Sequence, residues 1–284
     1  MALIVLASAS GAPGVSTTAL GLTLNWHRSV LLVDADPTGS SAVFAGYFQG
    51  SQEPPGGLIN LAIALREGTL AAVLPRETLL LDPEAPAERA PCFLPGIRSH
   101  EQAPSLLPLW EPLADQLRAL DRNGQDVIVD AGRLGLAGWP QPLIASSDLT
   151  LLVTRSSLPA LAGARSWAKS LREQFAAVGG LSRLGLLLVD EDRRWPAMPT
   201  GVPRVRPYTP RHIAKALQIS VTASVDWDPG PAEVYSHGTR KPRKFESCDL
   251  VRSYRTGASL IHSVLSSNQA ALAHPTPVTS GGRA

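Results

Sequence analysis

Short apolar runs, rich in β-branched residues, alternate along the chain with stretches of helical pattern. The runs lie at residues 3–7, 30–33, 78–81, 92–95, 126–129, 149–153, 184–189 and 221–225. The helical stretches lie at 16–26, 57–66, 107–121, 158–177, 210–217 and 249–265. Nearly continuous apolar runs are the mark of strands buried on both faces, as in a parallel sheet covered by helices. Helices between such strands serve as right-handed crossovers. The predicted fold is therefore α/β, a three-layer, doubly wound, mostly parallel sheet with helices on both faces.

Proline and glycine cluster at 54–57, 83–91 and 195–207, but the α/β rhythm resumes after each, so these read as loops. One domain over residues 1–265 is expected, followed by a disordered tail, 266–284. Residues 268–284 combine Pro, Thr, Ser and Gly without an apolar period and carry one cation, Arg283, so they do not read as a membrane anchor. No run of about 20 apolar residues exists, so no membrane insertion is expected. The first twelve residues mimic a short signal peptide but lack its basic start. A buried first strand explains them better, and a cytoplasmic location is expected.

The 284 residues are 44% hydrophobic and 18% charged, as in ordinary globular proteins. Formal net charge is only +2, so any affinity for nucleic acid or anionic lipid must be local. Cys92 and Cys248 stand far apart and the six histidines are scattered, which argues against a zinc site or disulfide framework.

The chemistry lies at strand ends. The first run leads into Ser10-Gly11-Ala12-Pro13-Gly14-Val15-Ser16-Thr17-Thr18 and then a helix. Strand, glycine turn and helix start are the parts that cradle phosphates, through close backbone N–H groups and a favourable dipole. Taken alone, the segment also reads as a plain turn capped by Ser16. The second run ends in Asp34-Ala35-Asp36-Pro37-Thr38-Gly39-Ser40, and the fifth in Asp130-Ala131-Gly132. Carboxylates at these ends suit magnesium and an attacking water. Singly, each reads also as a turn cap.

With these motifs the chain resembles the ParA/MinD group of deviant Walker A ATPases over roughly residues 2–265. In that family the loop reads Lys-Gly-Gly-x-Gly-Lys-Thr-Thr, which aligns with Ser10 to Thr17. Its DxDPQG segment is similar to Asp34-Ala35-Asp36-Pro37-Thr38-Gly39. The resemblance implies ATP or ADP and Mg2+ as cofactors, with Gly11, Ala12, Pro13, Gly14, Val15, Ser16 and Thr17 around the phosphates. It implies Ser16, Asp34 and Asp130 on the magnesium and Asp36 in a catalytic, water-positioning role. Ala145 to Val153 is similar to the family's "aaDxvllV" strand. Val225-Asp226-Trp227-Asp228 resembles the late I-P-x-D segment, which puts Asp228 near the base. Phe93-Leu94-Pro95-Gly96 is similar to the branch containing pilus-assembly TadZ/CpaE proteins.

The departures matter as much. Val15 stands where the family has the lysine that bridges β- and γ-phosphates, and Ser10 where it has the signature lysine that reaches across a dimer. The first lysine of the chain is Lys169, so no local shift restores either. A lost charge-assisted contact costs roughly 1.5 to 3 kcal/mol in binding and more in the transition state. Weak nucleotide binding with slow or absent hydrolysis is expected. Arg133 and Arg155 are the nearest arginines by topology to stand in for a lysine; both also read as solvated loop charges. The family's base-reading asparagine appears here as Val189.

The only basic cluster is Arg240-Lys241-Pro242-Arg243-Lys244, with Arg252 and Arg255 following. In ParA-like proteins late basic residues bind DNA non-specifically, which makes Lys241, Arg243, Lys244, Arg252 and Arg255 candidates. A solvated loop beside Glu246 and Asp249 is the plain alternative. The resemblance implies a spatial regulator that positions a pilus or secretion machine through a protein partner, with a homodimer as a further expectation. The rivals are a working DNA-partition ATPase and a nucleotide-free adaptor.

Overall fold

The computed structural model describes residues 2–9, 14–39, 41–51, 55–191 and 208–273. Its strands are β1 (Leu3–Ser8), β2 (Val30–Asp34), β3 (Leu79–Leu80), β4 (Pro91–Leu94), β5 (Asp126–Arg133), β6 (Leu149–Arg155), β7 (Leu184–Asp190) and β8 (Val221–Asp226). They form one sheet in the order β3-β4-β2-β5-β1-β6-β7-β8, in which only the β3–β4 pair is antiparallel. The helices are α1 (Val15–Leu24), α2 (Leu58–Arg66), α3 (Leu70–Val73), α4 (Trp110–Ala119), α5 (Gln141–Ser146), α6 (Leu158–Ala177), α7 (Pro210–Leu217), α8 (Pro229–Ser236) and α9 (Asp249–Ala273).

Alternation along β1 splits the core into two layers. Leu3, Val5 and Ala7 join an apolar cluster with Trp110, Leu113 and Phe175 of α4 and α6. Ile4 and Leu6 join the opposite one, with Leu20 and Leu22 of α1 and Tyr254 and Ile261 of α9. Every residue of β1 is buried, as a central parallel strand requires. Full burial of each large aliphatic side chain contributes about 1.5–3 kcal/mol. α1 packs so closely on α9 that a Cβ at Gly21 would lie 2.4 Å from the Tyr254 ring.

The strand order also places the site. From β1 the chain steps out to β2, returns to insert β5 between them, and then crosses to β6 on the other side of β1. The carboxyl ends of β1, β2 and β5 therefore meet where the winding reverses, the position at which doubly wound sheets open a crevice. At the opposite end, the buried carboxylate of Asp126 accepts from Ala2 N (2.8 Å) and Trp26 Nε1 (2.9 Å), with Arg28 Nε at 3.5 Å.

Three details differ from expectation. α4 begins at Trp110 and not at 107, because residues His100–Leu109 wind as a 3-10 helix in which Pro104 and Pro108 supply no N–H. α9 continues to Ala273, so residues 266–273 are helix, not tail. They contain neither Gly nor Pro, and Asn268 Nδ2 donates to Ser182 O at 2.9 Å. The rest of the expected tail, 274–284, and the loop at 195–207 lie outside the described residues. α5 and α8 are not among the expected helices; each has Pro in its first turn, where it removes an N–H the helix does not use. Among the described residues no helix is long and apolar enough to cross a membrane.

Candidate functional site

Asp34 closes β2 and is the register partner of Asp130 in β5, whose carbonyl accepts from Ala35 N at 2.8 Å. Both carboxylates are buried, 6% and 4% exposed. Asp36 follows in an Asx turn: its Oδ1 accepts from Thr38 N (2.9 Å) and Thr38 Oγ1 (2.8 Å). Its own N–H donates to Asp34 Oδ1 at 3.4 Å. Two glycines let the three acids come together. Gly132, at φ +59°, donates its N–H to Asp130 Oδ1 at 2.9 Å, and a Cβ there would sit 2.2 Å from Asp36 Cγ. A Cβ at Gly96 would sit 2.6 Å from Asp34 O and 3.0 Å from its Oδ1.

Crowding acids away from water raises their proton affinity. Burial pushes Asp34 up to about 6, helped by the Asp36 charge and opposed by the Ser41 hydroxyl. Burial, then the Asp34 charge, pushes Asp130 up to about 7, against hydrogen bonds from Ser16 and the Gly132 amide. A divalent cation would relieve this repulsion, so the donor set fits magnesium. Among the described residues no group of three or more His, Cys, Asp or Glu side chains is arranged to hold a metal by itself. Magnesium habitually completes its shell with waters and phosphate oxygens.

The start of α1 faces the same place. Gly14 adopts φ 91°, ψ 35°, a left-handed conformation that a larger residue resists. The first helical bond runs from Thr18 N to Gly14 O at 2.9 Å, leaving the N–H groups of Val15, Ser16 and Thr17 outside the ladder. The Ser16 hydroxyl lies near enough to Asp130 to oppose the rise in its proton affinity, which puts the helix start beside β5. The Val15 side chain is 6% exposed and belongs to the apolar cluster of Ile4, Leu6 and Val153. Only its backbone N–H is on offer to a ligand. Gly11, Ala12 and Pro13, with Ser10, lie outside the described residues.

Arg155 is engaged elsewhere: it pairs with Glu191 at 3.2 Å and stacks 4.2 Å from the Trp227 ring centroid, a geometry a cation and an indole favour. Arg133 is exposed at the end of β5 as the register partner of Ser8. Asp228, 8% exposed, stands at the N-cap of α8, and Val189 is buried in β7. In the basic cluster, Lys241 pairs with Glu246 at 3.4 Å, Arg255 also with Glu246, and Arg252 with Asp249. Arg243 and Lys244 are exposed. Arg255 Nε also bonds Asn25 at the far end of α1 from Ser16, so this cluster is not part of the acidic centre.

Gly96, Gly132 and Ser41 are the residues that sequence reasoning did not single out. Each sits within or beside a motif it did quote, but their close approach to the acids depends on strands joined only by folding.

No protein-family model and no curated protein matches the sequence. Among solved structures, the chain is similar to a ParA family ATPase from Chlorobium tepidum TLS, at 17% identity and TM-score 0.66 over 91% of this chain and 99% of that one. It is similar to the cell division ATPase MinD of Pyrococcus furiosus, at 19% identity and TM-score 0.65 over 93% and 100%. A third is the septum site-determining protein MinD of Pyrococcus horikoshii OT3 complexed with Mg-ADP, at 17% identity and TM-score 0.57 over 94% and 99%. The chain has the fold of the ParA/MinD ATPases.

Proposed function

We propose, with the ParA/MinD ATPase fold as the premise, that this chain is a nucleotide-binding positioning protein that holds ATP or ADP with Mg2+ weakly and hydrolyses it slowly or not at all. One observation carries the reading: Asp34, Asp36 and Asp130 converge beside the amino end of α1, and the two buried ones are left with raised proton affinity that a cation relieves. The backbone N–H groups between Gly11 and Thr17, all but that of Pro13, which has none, are the groups to hold phosphates, and Ser16, Asp34 and Asp130 the groups to hold magnesium. Magnesium and the loop dipole supply charge stabilisation when the nucleotide is bound. Asp36, held by Thr38, is the residue to orient water, and Asp228 the one beside the base.

Slow turnover follows from what surrounds the loop. Val15 points into the apolar core, no lysine precedes Lys169, and Arg155 is held by Glu191 and Trp227. Partner binding is then the output, and the resemblance of Phe93 to Gly96 to the pilus-assembly branch favours a component of a pilus or secretion machine. A dimer formed without the signature lysine rests on other contacts.

Mg-ATP titration by calorimetry, with melting curves alongside, tests the reading. Ligand specific to the native state must raise the melting temperature. Gly14→Val puts a β-branched residue at φ 91° and is expected to abolish both signals. Unchanged affinity in that variant would overturn the assigned site. DNA-stimulated turnover lost in Asp36→Ala would favour the partition reading instead.

A further inference from the structure

We infer that the groove between α6 and α7 is a docking site for an acidic, amphipathic helix of a partner protein. The inference does not depend on nucleotide binding. A hollow of about 510 Å³ runs between the two helices, and a second of about 380 Å³ continues it, sharing Lys169, Arg172 and Gln218. Its cationic wall is Arg165, Lys169 and Arg172 of α6. Their spacing of four and three residues puts them on one stripe of the helix, rising by about 6 Å and then about 4.5 Å. Lys169 has Glu173 at 3.9 Å; among the described residues, Arg165 and Arg172 have no ion pair.

Between the cations the lining is mainly apolar, with Ser166, Gln218 and Glu173 interspersed. Ala216 and Leu217, at the end of α7, line the first hollow, and Leu181, 52% exposed, borders the second. Cations alone suit any polyanion, but cations over an apolar floor suit a ligand that presents carboxylates and methyl groups from one face. A helix with acids at i, i+4 and i+7 and small apolar residues on the adjoining stripe matches both features, in the helix-in-groove manner. A nucleic-acid backbone offers nothing to the apolar floor. Among the described residues no aromatic side chain lines the groove to stack bases.

The chain's own segments outside the described residues do not supply such a ligand. Residues 192–207 set Asp192 against Arg193, Arg194, Arg204 and Arg206, and 274–284 contain no acid. Charge complementarity therefore points to another protein.

The test uses the full chain and a fluorescein-labelled, capped helical peptide of about four turns. It carries Glu at i, i+4 and i+7 and Ala or Leu beside them, and its twin carries Gln for Glu. Saturable binding that weakens with salt is expected in anisotropy titrations. The Arg165→Ala/Lys169→Ala/Arg172→Ala variant, and the Gln twin, are each expected to bind at least tenfold more weakly. Arg165→Glu alone gives the same answer should the triple variant melt early. Equal binding by variant and parent would overturn the inference. So would tighter capture of duplex DNA, or of phosphatidylglycerol vesicles, through the same three side chains.

Discussion

Burial raises the carboxyls of Asp34 and Asp130 to about 6 and about 7, while in an unfolded chain both would titrate near the ordinary aspartate value of about 3.9. Between those limits the folded state binds more protons than the unfolded one, so stability must fall as pH rises. The contribution is fully present below about pH 4 and is lost by about pH 7. Melting temperature measured in EDTA should therefore drop from pH 5 to pH 8, by a linkage of this kind. In Asp130→Asn the drop should shrink, because the neutral amide removes the more strongly raised of the two titrating groups, the one that feels the Asp34 charge. An equally steep profile in that variant would show that other groups carry it. At this scale the sequence identified the acids as a set, since each ends an apolar run. It did not reveal that Gly132 and Gly96 hold them together, because each glycine meets an acid from a different segment of the chain, Asp36 just past β2 and Asp34 at its end. Nor did it reveal where Arg155 points, a matter decided by Trp227 and Glu191 across two loops.

Among the elements, α1 illustrates how one helix serves both the core and the site. Its first turn presents Ser16 to Asp130, while Leu20 and Leu22 are buried and Gly21 admits the ring of Tyr254. Gly21→Ala favours the helix intrinsically by about 0.8–1.0 kcal/mol. Here the added methyl would lie 2.4 Å from that ring, and overpacking of a close-packed core costs typically about 1–3 kcal/mol. Net destabilisation is expected in urea melts, and Tyr254→Leu should recover part of it in the double variant. A stabilised Gly21→Ala protein would mean that α9 shifts freely. The α1–α9 contact joins residues far apart in the chain, so no local pattern could announce it. The length of α9 was misread for the opposite reason: the polar residues past 265 lack an apolar period, yet without Gly or Pro they continue the helix.

For the whole molecule, Asp126 shows how the sheet is tied at the end opposite the candidate site. It is 2% exposed and receives the Ala2 amide and the Trp26 indole, with Arg28 beside it. Asp126→Ala leaves these donors without an acceptor, at about 1–3 kcal/mol for each buried group so stranded. A large loss of global stability by chemical denaturation is expected, with Asp126→Asn milder because an amide oxygen still accepts. A variant as stable as the parent would refute this role. By itself, the sequence determined the strands, the longer helices and the fold class: buried strands need uninterrupted apolar runs, the crossovers need helical ones, and both patterns are local. It also determined that the loop itself carries no lysine, since none precedes Lys169. Only the tertiary structure decided the order of strands, the burial that raises Asp34 and Asp130, the turning of Val15 into the core and the pairing of Lys241, Arg252 and Arg255. Each of those depends on water being excluded, or a charge being met, by residues distant in the chain, which is information that no single segment carries.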